Sequence, residues 1–257
     1  MSKKENETHR GDAFAHNIEF KMAIADCTEA IRLDPMKTRA YLARGVVYAH
    51  NGDYKMAIAD YTEAIRLDPK DANAHAYRGR AFVCVGEFKM AIVDITESIR
   101  LEAKVAYNYS LRGISYSKNS DYKMAIADFT EAIRLDPKEA YAYLFRGKTF
   151  AQNGDFTKAI ADITEAIRLD LKVAYVYVLS GKAFAQIGDF KKAIADYTEA
   201  IRFDPKEAPY YLLRGDAYAQ NRKSKKSIAD FLKATRIDPN VSLISLLNGN
   251  DFAQNAD

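Results

Sequence analysis

Aspartates and arginines that return every 34 residues are the side chains of this 257-residue sequence with the clearest potential for chemistry. The aspartates are Asp26, Asp60, Asp94, Asp128, Asp162, Asp196 and Asp230. At a second recurring place an arginine precedes a glycine, with Ser180 as the one exception: Arg10, Arg44, Arg78, Arg112, Arg146 and Arg214. An active-site acid is not needed in every period, so we interpret both sets as structural. A half-buried bidentate arginine–carboxylate pair would explain why they occur together, either within one repeat or between neighbours.

No other motif indicates catalysis or a bound cofactor. The sequence has no nucleophile elbow, no glycine-rich phosphate loop and no zinc-spaced set of cysteine and histidine. His16 and His50 lie one repeat apart, so their rings are expected about 10 Å apart, too far to share a metal ion without rearrangement. Cys27 and Cys84 are interpreted as reduced thiols rather than as a disulfide. We therefore predict no enzyme activity, no catalytic residue, no metal and no cofactor.

The elements that carry these residues are repeats of 34 residues. Residues 53–69 read DYKMAIADYTEAIRLDP, and the same letters return at 121–137 with one change, Phe129 for Tyr61. This period is typical of a helix-turn-helix unit that packs only on its neighbours. Cutting after each Asp-Pro-x-x divides the chain into seven repeats without insertions: 4–37, 38–71, 72–105, 106–139, 140–173, 174–207 and 208–241.

Each repeat is predicted to form two short helices with one apolar face each. In repeat two, small and aromatic residues recur at steps of three and four, as on one side of a helix. Asn51-Gly52-Asp53 separates the two helices, and Asp68-Pro69 ends the second one, since a residue before proline avoids the α conformation. The residues of the two apolar faces are Tyr41, Gly45 and Tyr48, then Tyr54, Ala57, Tyr61 and Ala64.

This pattern resembles the tetratricopeptide repeat from about residue 4 to the end of the sequence. The glycine of the pattern is present in all seven repeats: Gly11, Gly45, Gly79, Gly113, Gly147, Gly181 and Gly215. The resemblance implies an all-α fold, a right-handed α-solenoid superhelix of seven repeats plus a C-terminal capping helix. We expect a single solenoid domain over 1–257, with the capping helix at 242–255, where Gly249 and Phe252 fall on first-helix positions.

Two local departures from the repeat lead to further expectations. Ala103 and Leu171 stand where other repeats have the terminating proline, so the second helices of repeats three and five are predicted to run on by a residue or two. In repeat seven, Arg222-Lys223-Ser224-Lys225-Lys226 replaces the usual turn. This stretch is either a basic docking patch or, as short basic runs usually are, a solvated loop.

Composition excludes several classes of partner. The 38 basic and 35 acidic side chains give a net charge of +3, which leaves no electrostatic footprint for nucleic acid or an anionic membrane. The N-terminal residues lack the apolar core of a signal peptide, and no run approaches a membrane span. We expect a cytoplasmic protein.

The resemblance places the functional surface on the first helices, which line the inside of the superhelix in this family. Carrying the family's groove positions over gives tyrosine beside lysine and arginine. Such a lining suits an extended peptide with acidic and apolar residues, although these tyrosines could instead pack between repeats. The predicted partner-binding residues are Arg80, Tyr107, Lys118, Tyr141, Lys148, Gln152, Tyr175, Lys182 and Gln186.

Two hypotheses of function follow from the sequence. The first is a non-enzymatic protein–protein interaction scaffold that holds a partner segment in the groove. The second is a self-assembling structural protein, in which the terminal repeats of successive chains stack end to end.

Overall fold

The computed structural model describes residues 19–241, and all regular secondary structure within this range is helical. Helix α1 covers residues 19–33, the second helix of repeat one, and α2 to α13 pair into the six repeats that follow. This confirms the predicted all-α solenoid of helix-turn-helix repeats. The helices are α2 Thr38–His50, α3 Tyr54–Leu67, α4 Ala72–Cys84, α5 Phe88–Leu101, α6 Ala106–Lys118, α7 Tyr122–Leu135, α8 Ala140–Gln152, α9 Phe156–Arg168, α10 Ala174–Gln186, α11 Phe190–Phe203, α12 Ala208–Gln220 and α13 Ser224–Ile237.

The chain divides into two compact units, which we call unit 1, up to Leu135, and unit 2, from Asp136 onward. In each unit a helix packs on the helix before it and on the helix after it, so the core is a row of small clusters. The single domain over 1–257 stays a prediction, and the capping helix expected at 242–255 lies outside the described residues. Within residues 19–241, no helix combines the length and the apolar character needed to cross a membrane.

In repeats two to seven, the glycine of the first helix lets the two helices of the repeat come close together. A Cβ atom added to Gly45 would lie 2.6 Å from the ring of Tyr61, and one added to Gly181 would lie 2.5 Å from the ring of Tyr197. Both tyrosines are almost completely buried. A large side chain of the second helix therefore fills the space that the missing side chain leaves on the first helix; it is a ring in repeats two, four, six and seven and an isoleucine in repeats three and five.

The turns between paired helices share one backbone conformation, whether or not they contain glycine. Gly52 has a φ of +83°, and Ser120 and Arg222 take φ values of 64° and 58° at the matching places. A residue with a Cβ pays roughly 1–2 kcal/mol for this left-handed conformation. Arg222 therefore adopts the same turn conformation as the glycines at this place in other repeats, although it lies in the basic stretch of repeat seven.

The predicted extension of the second helix in repeat three is wrong. Helix α5 ends at Leu101, the residue equivalent to Leu67 at the end of α3, although Ala103 replaces the proline. Glu102 leaves the helix with φ −140° and ψ 92°, close to the −135° and 89° of Asp68. Buried Ile99 shares a core cluster with Leu111 of the next helix. Helix α5 therefore ends at the usual place without proline, with its last turn packed on α6.

The predicted extension of the second helix in repeat five is also wrong, because this helix is shorter than the other second helices and not longer. Helix α9 ends at Arg168, one residue earlier than the pattern of the other second helices. Asp170 adopts a φ of 74°, and the Leu171 N–H donates to the Ala166 carbonyl at 3.0 Å. This is a Schellman cap, in which an apolar residue after the helix packs back on its last turn. Leu171 is buried in the core cluster that contains Ala166, so leucine shortens the helix.

Candidate functional site

The repeated arginines and aspartates pair within one repeat, in repeats two, three, four, five and seven. Arg44 donates from Nε and Nη2 to the two carboxylate oxygens of Asp60 at 2.8 and 2.7 Å. Its Nη1 donates to the Thr28 hydroxyl of the preceding repeat at 3.0 Å. The carboxylates are thus engaged in holding helices together, which confirms their structural interpretation. The same bidentate pair forms at Arg78–Asp94, Arg112–Asp128, Arg146–Asp162 and Arg214–Asp230.

Repeat six lacks this pair because Ser180 replaces the arginine. Burial raises the pKa of the Asp196 carboxyl, and a hydrogen bond with the Ser180 side chain offsets this only in part. Oδ2 of Asp196 is buried and has no hydrogen-bond partner among residues 19–241. In repeat six, burial therefore disfavours the charged form of the Asp196 carboxyl.

The first helices of neighbouring repeats also contact one another: α2 with α4 and α4 with α6 in unit 1, and α8 with α10 in unit 2. We call the surface that the first helices present the first-helix face. Tyr107 and Tyr141 are each 54% exposed, near the starts of α6 and α8. Lys118, Gln152 and Gln186 are exposed at the last positions of α6, α8 and α10.

In unit 2, the structure brings together three of the predicted residues on α8 and α10. The Lys148 ammonium lies 5.6 Å from the centroid of the Tyr175 ring. Lys182 is half-buried, and its pKa is lowered first by burial and then by the positive charge of Lys148. A partly desolvated cation beside a like charge is disfavoured in its charged form. An anion bound here would relieve both effects, so this cluster of Lys148, Tyr175 and Lys182 is a candidate anion site.

In unit 1, a pocket of about 220 Å³ lies between repeats two and three. Of the predicted residues, it contains Arg80. Sequence reasoning assigned Tyr54 and Tyr61 to packing alone and gave Tyr77 no role. The sequence clue to Tyr77 is that its position varies between repeats: repeat two has Ala43 at the same place. The pocket is lined by Val46, Ala49, His50, Tyr54, Tyr61, Tyr77, Arg80 and Ala81.

Some polar side chains of this pocket already interact with neighbouring groups of the protein, whereas Arg80 has no hydrogen-bond partner among residues 19–241. Burial is the main reason that the pKa of Tyr61 is raised to about 12, with a further contribution from Tyr77, whose ring centroid is 5.8 Å away. A hydrogen bond with Cys84 raises the pKa of Tyr54. Nδ1 of His50 lies 2.8 Å from the Val46 carbonyl. Arg80 is exposed and makes no hydrogen bond or ion pair with any residue from 19 to 241.

Family models described as tetratricopeptide repeat match residues 38–71, 111–170 and 208–241, and one described as TPR repeat matches 181–221. Together these matches cover more than half of the chain. No curated protein matches the sequence.

Several solved structures are similar in fold. PilF of Pseudomonas aeruginosa has a TM-score of 0.69 and 18% identity over 82% of this chain and 96% of its own. YrrB, described as a TPR protein with an unusual peptide-binding site, has a TM-score of 0.64 and 21% identity over 73% of this chain and 97% of its own. The Cut9–Hcn1 structure of the APC/C has a TM-score of 0.68 and 18% identity over 89% of this chain, which spans 45% of the matched chain.

At these identities the solved structures show the fold alone, whereas the sequence models cover most of the repeats. The chain therefore belongs to the tetratricopeptide repeat family, whose fold is a protein–protein interaction scaffold.

Proposed function

We propose that this protein is a non-enzymatic interaction scaffold whose first-helix face binds an extended peptide segment with acidic and apolar residues. The observation that carries the proposal is the cluster of Lys148, Tyr175 and Lys182. It combines two neighbouring positive charges with an aromatic ring on adjacent first helices. The fully formed arginine–aspartate pairs support the absence of catalysis, because they leave these carboxylates bound in the framework.

The chemistry of the cluster indicates what the ligand carries. A carboxylate near Lys148 and Lys182 would compensate the charge that burial and mutual repulsion disfavour. The exposed ring of Tyr141, stacked 6.3 Å from the ring of Phe145, offers an apolar surface on the same helix as Lys148. Neighbouring helices lie about 10 Å apart and an extended chain rises about 3.3 Å per residue, so acidic residues about three apart would reach both lysines.

The test is direct binding of a synthetic probe, a fluorescein-labelled nine-residue peptide with two glutamates three residues apart and leucine and phenylalanine between them. Reversing both charges with Lys148→Glu and Lys182→Glu should weaken binding at least tenfold, on the order of 1.4 kcal/mol. The remaining binding should depend less on salt, because fewer opposite charges meet. The matched control, Lys123→Glu with Lys191→Glu, changes net charge equally at exposed positions of second helices and should bind normally.

Circular dichroism should show an unchanged helical fold in both double variants, since none of the four lysines belongs to the arginine–aspartate framework. Wild-type affinity of the Lys148/Lys182 variant at low salt would move the site away from the first-helix face, and the basic turn at Arg222 would be examined next. Light scattering over a concentration series tests the alternative of end-to-end assembly. A mass that grows with concentration would favour stacking over a scaffold that acts alone.

A further inference from the structure

We infer that the pocket between repeats two and three takes one apolar side chain of the ligand, with a carboxylate next to that side chain held by Arg80. This inference rests on the proposed function of the first-helix face and adds a specificity site in unit 1. The pocket combines apolar walls with one positive charge, and each property restricts the ligand.

The size and walls of the pocket select a single apolar group. A volume of about 220 Å³ is below the roughly 300–1,000 Å³ of sites that hold drug-sized ligands. Val46, Ala49 and Ala81 contribute aliphatic surface, and the tyrosine rings contribute aromatic surface. An apolar side chain can therefore leave water here, while a larger group would remain outside.

The charge of the pocket selects a carboxylate beside that group. Arg80 has no acidic partner within residues 19–241, and none of the residues that line the pocket is acidic. By contrast, the guanidinium of Arg78 is held by Asp94 and Thr62. An exposed guanidinium can donate two hydrogen bonds to one carboxylate. A single fixed positive charge matches a monoanion better than a phosphate dianion.

Among repeats two, three and four, only repeat three has this combination, although all three share the glycine and the arginine–aspartate pair. The place of Arg80 is held by Val46 in repeat two and by Ile114 in repeat four. The place of Tyr77 is held by Ala43 and Leu111 in the same repeats. The shared framework cannot distinguish one repeat from the next, so a ligand that enters this pocket is placed at repeat three.

A fragment pair tests the inference without knowledge of the natural partner. The probes are 3-phenylpropionate and 3-phenylpropanamide, which have the same ring and chain length and differ in charge. Titration is followed through the methyl resonances of Ala49 and Ala81 in NMR spectra of the whole chain. The propionate should bind about tenfold more tightly than the amide, as expected for one charge-assisted contact.

Two variants separate the charge from the apolar walls. Arg80→Gln should lower the affinity for the propionate to that for the amide and leave the amide unchanged, while Tyr77→Ala should weaken both probes. Lys89→Gln, which removes an exposed charge from the second helix of the same repeat, is the control and should have no effect. Circular dichroism checks the fold of each variant.

Three results would overturn the inference: equal affinity of the two probes for the wild type, an unaltered propionate affinity in Arg80→Gln, or much tighter binding of phenyl phosphate. The fragment assay does not involve Lys148 or Lys182. If the fragments bind and the glutamate peptide does not, the proposed function fails. If the peptide binds through the lysines and the fragments do not, this inference alone fails.

Discussion

Repeats two and six both have an aspartate at the same repeat position, but only the aspartate of repeat two is paired with an arginine. In repeat two, Asp60 receives two hydrogen bonds from Arg44, whose side chain is only 19% exposed. In repeat six, Asp196 faces Ser180, keeps one oxygen unsatisfied and has a raised pKa. The comparison shows that the aspartate stabilises a repeat only together with its arginine, since a buried carboxylate without a cation is a cost.

The rest of the arginine site remains in repeat six. Arg44 contacts Thr28 and lies 5.9 Å from the ring centroid of Tyr41. Thr164 and Tyr177 occupy the matching places around Ser180. The ring of Tyr177 stacks instead on Phe203 at 5.5 Å. The partners of an arginine are therefore present although the arginine is not.

The largest expected effect comes from breaking the intact pair. Asp60→Asn leaves the guanidinium of Arg44 partly buried without its counter-charge, and removing one partner of such a pair costs about 3–5 kcal/mol. Urea unfolding of the variant should show this loss. The matched substitution Asp196→Asn should cause no loss, and a similar destabilisation by both substitutions would contradict the comparison.

A smaller gain is expected from completing the pair in repeat six. Ser180→Arg should raise the free energy of unfolding by about 1.5–3 kcal/mol, the range for hydrogen bonds to charged groups. Ser180→Lys serves as the control, because an ammonium cannot make the bidentate contact and should recover less. A loss of stability in Ser180→Arg would mean that the stacking of Tyr177 on Phe203 has closed the site.

The smallest effect is a pH dependence that belongs to Asp196. Because burial raises its pKa above the ordinary 3.8, the folded carboxyl holds its proton more tightly than the unfolded one. The resulting stabilisation is present below pH 3.8 and is lost as the pH rises through the raised folded value. Asp196→Asn should therefore match the wild type in acid and melt at a higher temperature at neutral pH. An equal melting temperature at neutral pH would show that Asp196 is well solvated.

The sequence predicted most of the framework and less of the candidate site. The 34-residue period predicted the helices and the role of glycine, because in repeats two to seven the glycine lies against a large apolar side chain of the second helix, a ring such as Tyr61 or an isoleucine such as Ile95. The sequence could not decide whether the arginine pairs within one repeat or between repeats, since the same spacing allows both; the structure shows pairing within one repeat. The ends of the second helices near Ala103 and Leu171 were mispredicted because proline is only one of several ways to end a helix.

The candidate site was harder to predict because some of its residues also pack the two helices of a repeat together. Tyr61 fills the space beside Gly45 and at the same time lines the pocket of Arg80. The 34-residue periodicity predicts that Tyr61 packs on Gly45 but gives no information about its place in the pocket. The binding roles assigned to Tyr107, Lys118, Gln152 and Gln186 remain predictions.

The most direct test of the central claim is paramagnetic broadening of amide resonances by the nine-residue glutamate peptide carrying a nitroxide label. If the first-helix face is the binding surface, the strongest broadening should fall on α8 and α10, around Tyr141, Lys148 and Lys182, and α9 and α11 should be broadened less. Broadening concentrated on α9 and α11, or at the basic turn around Arg222, would contradict the account.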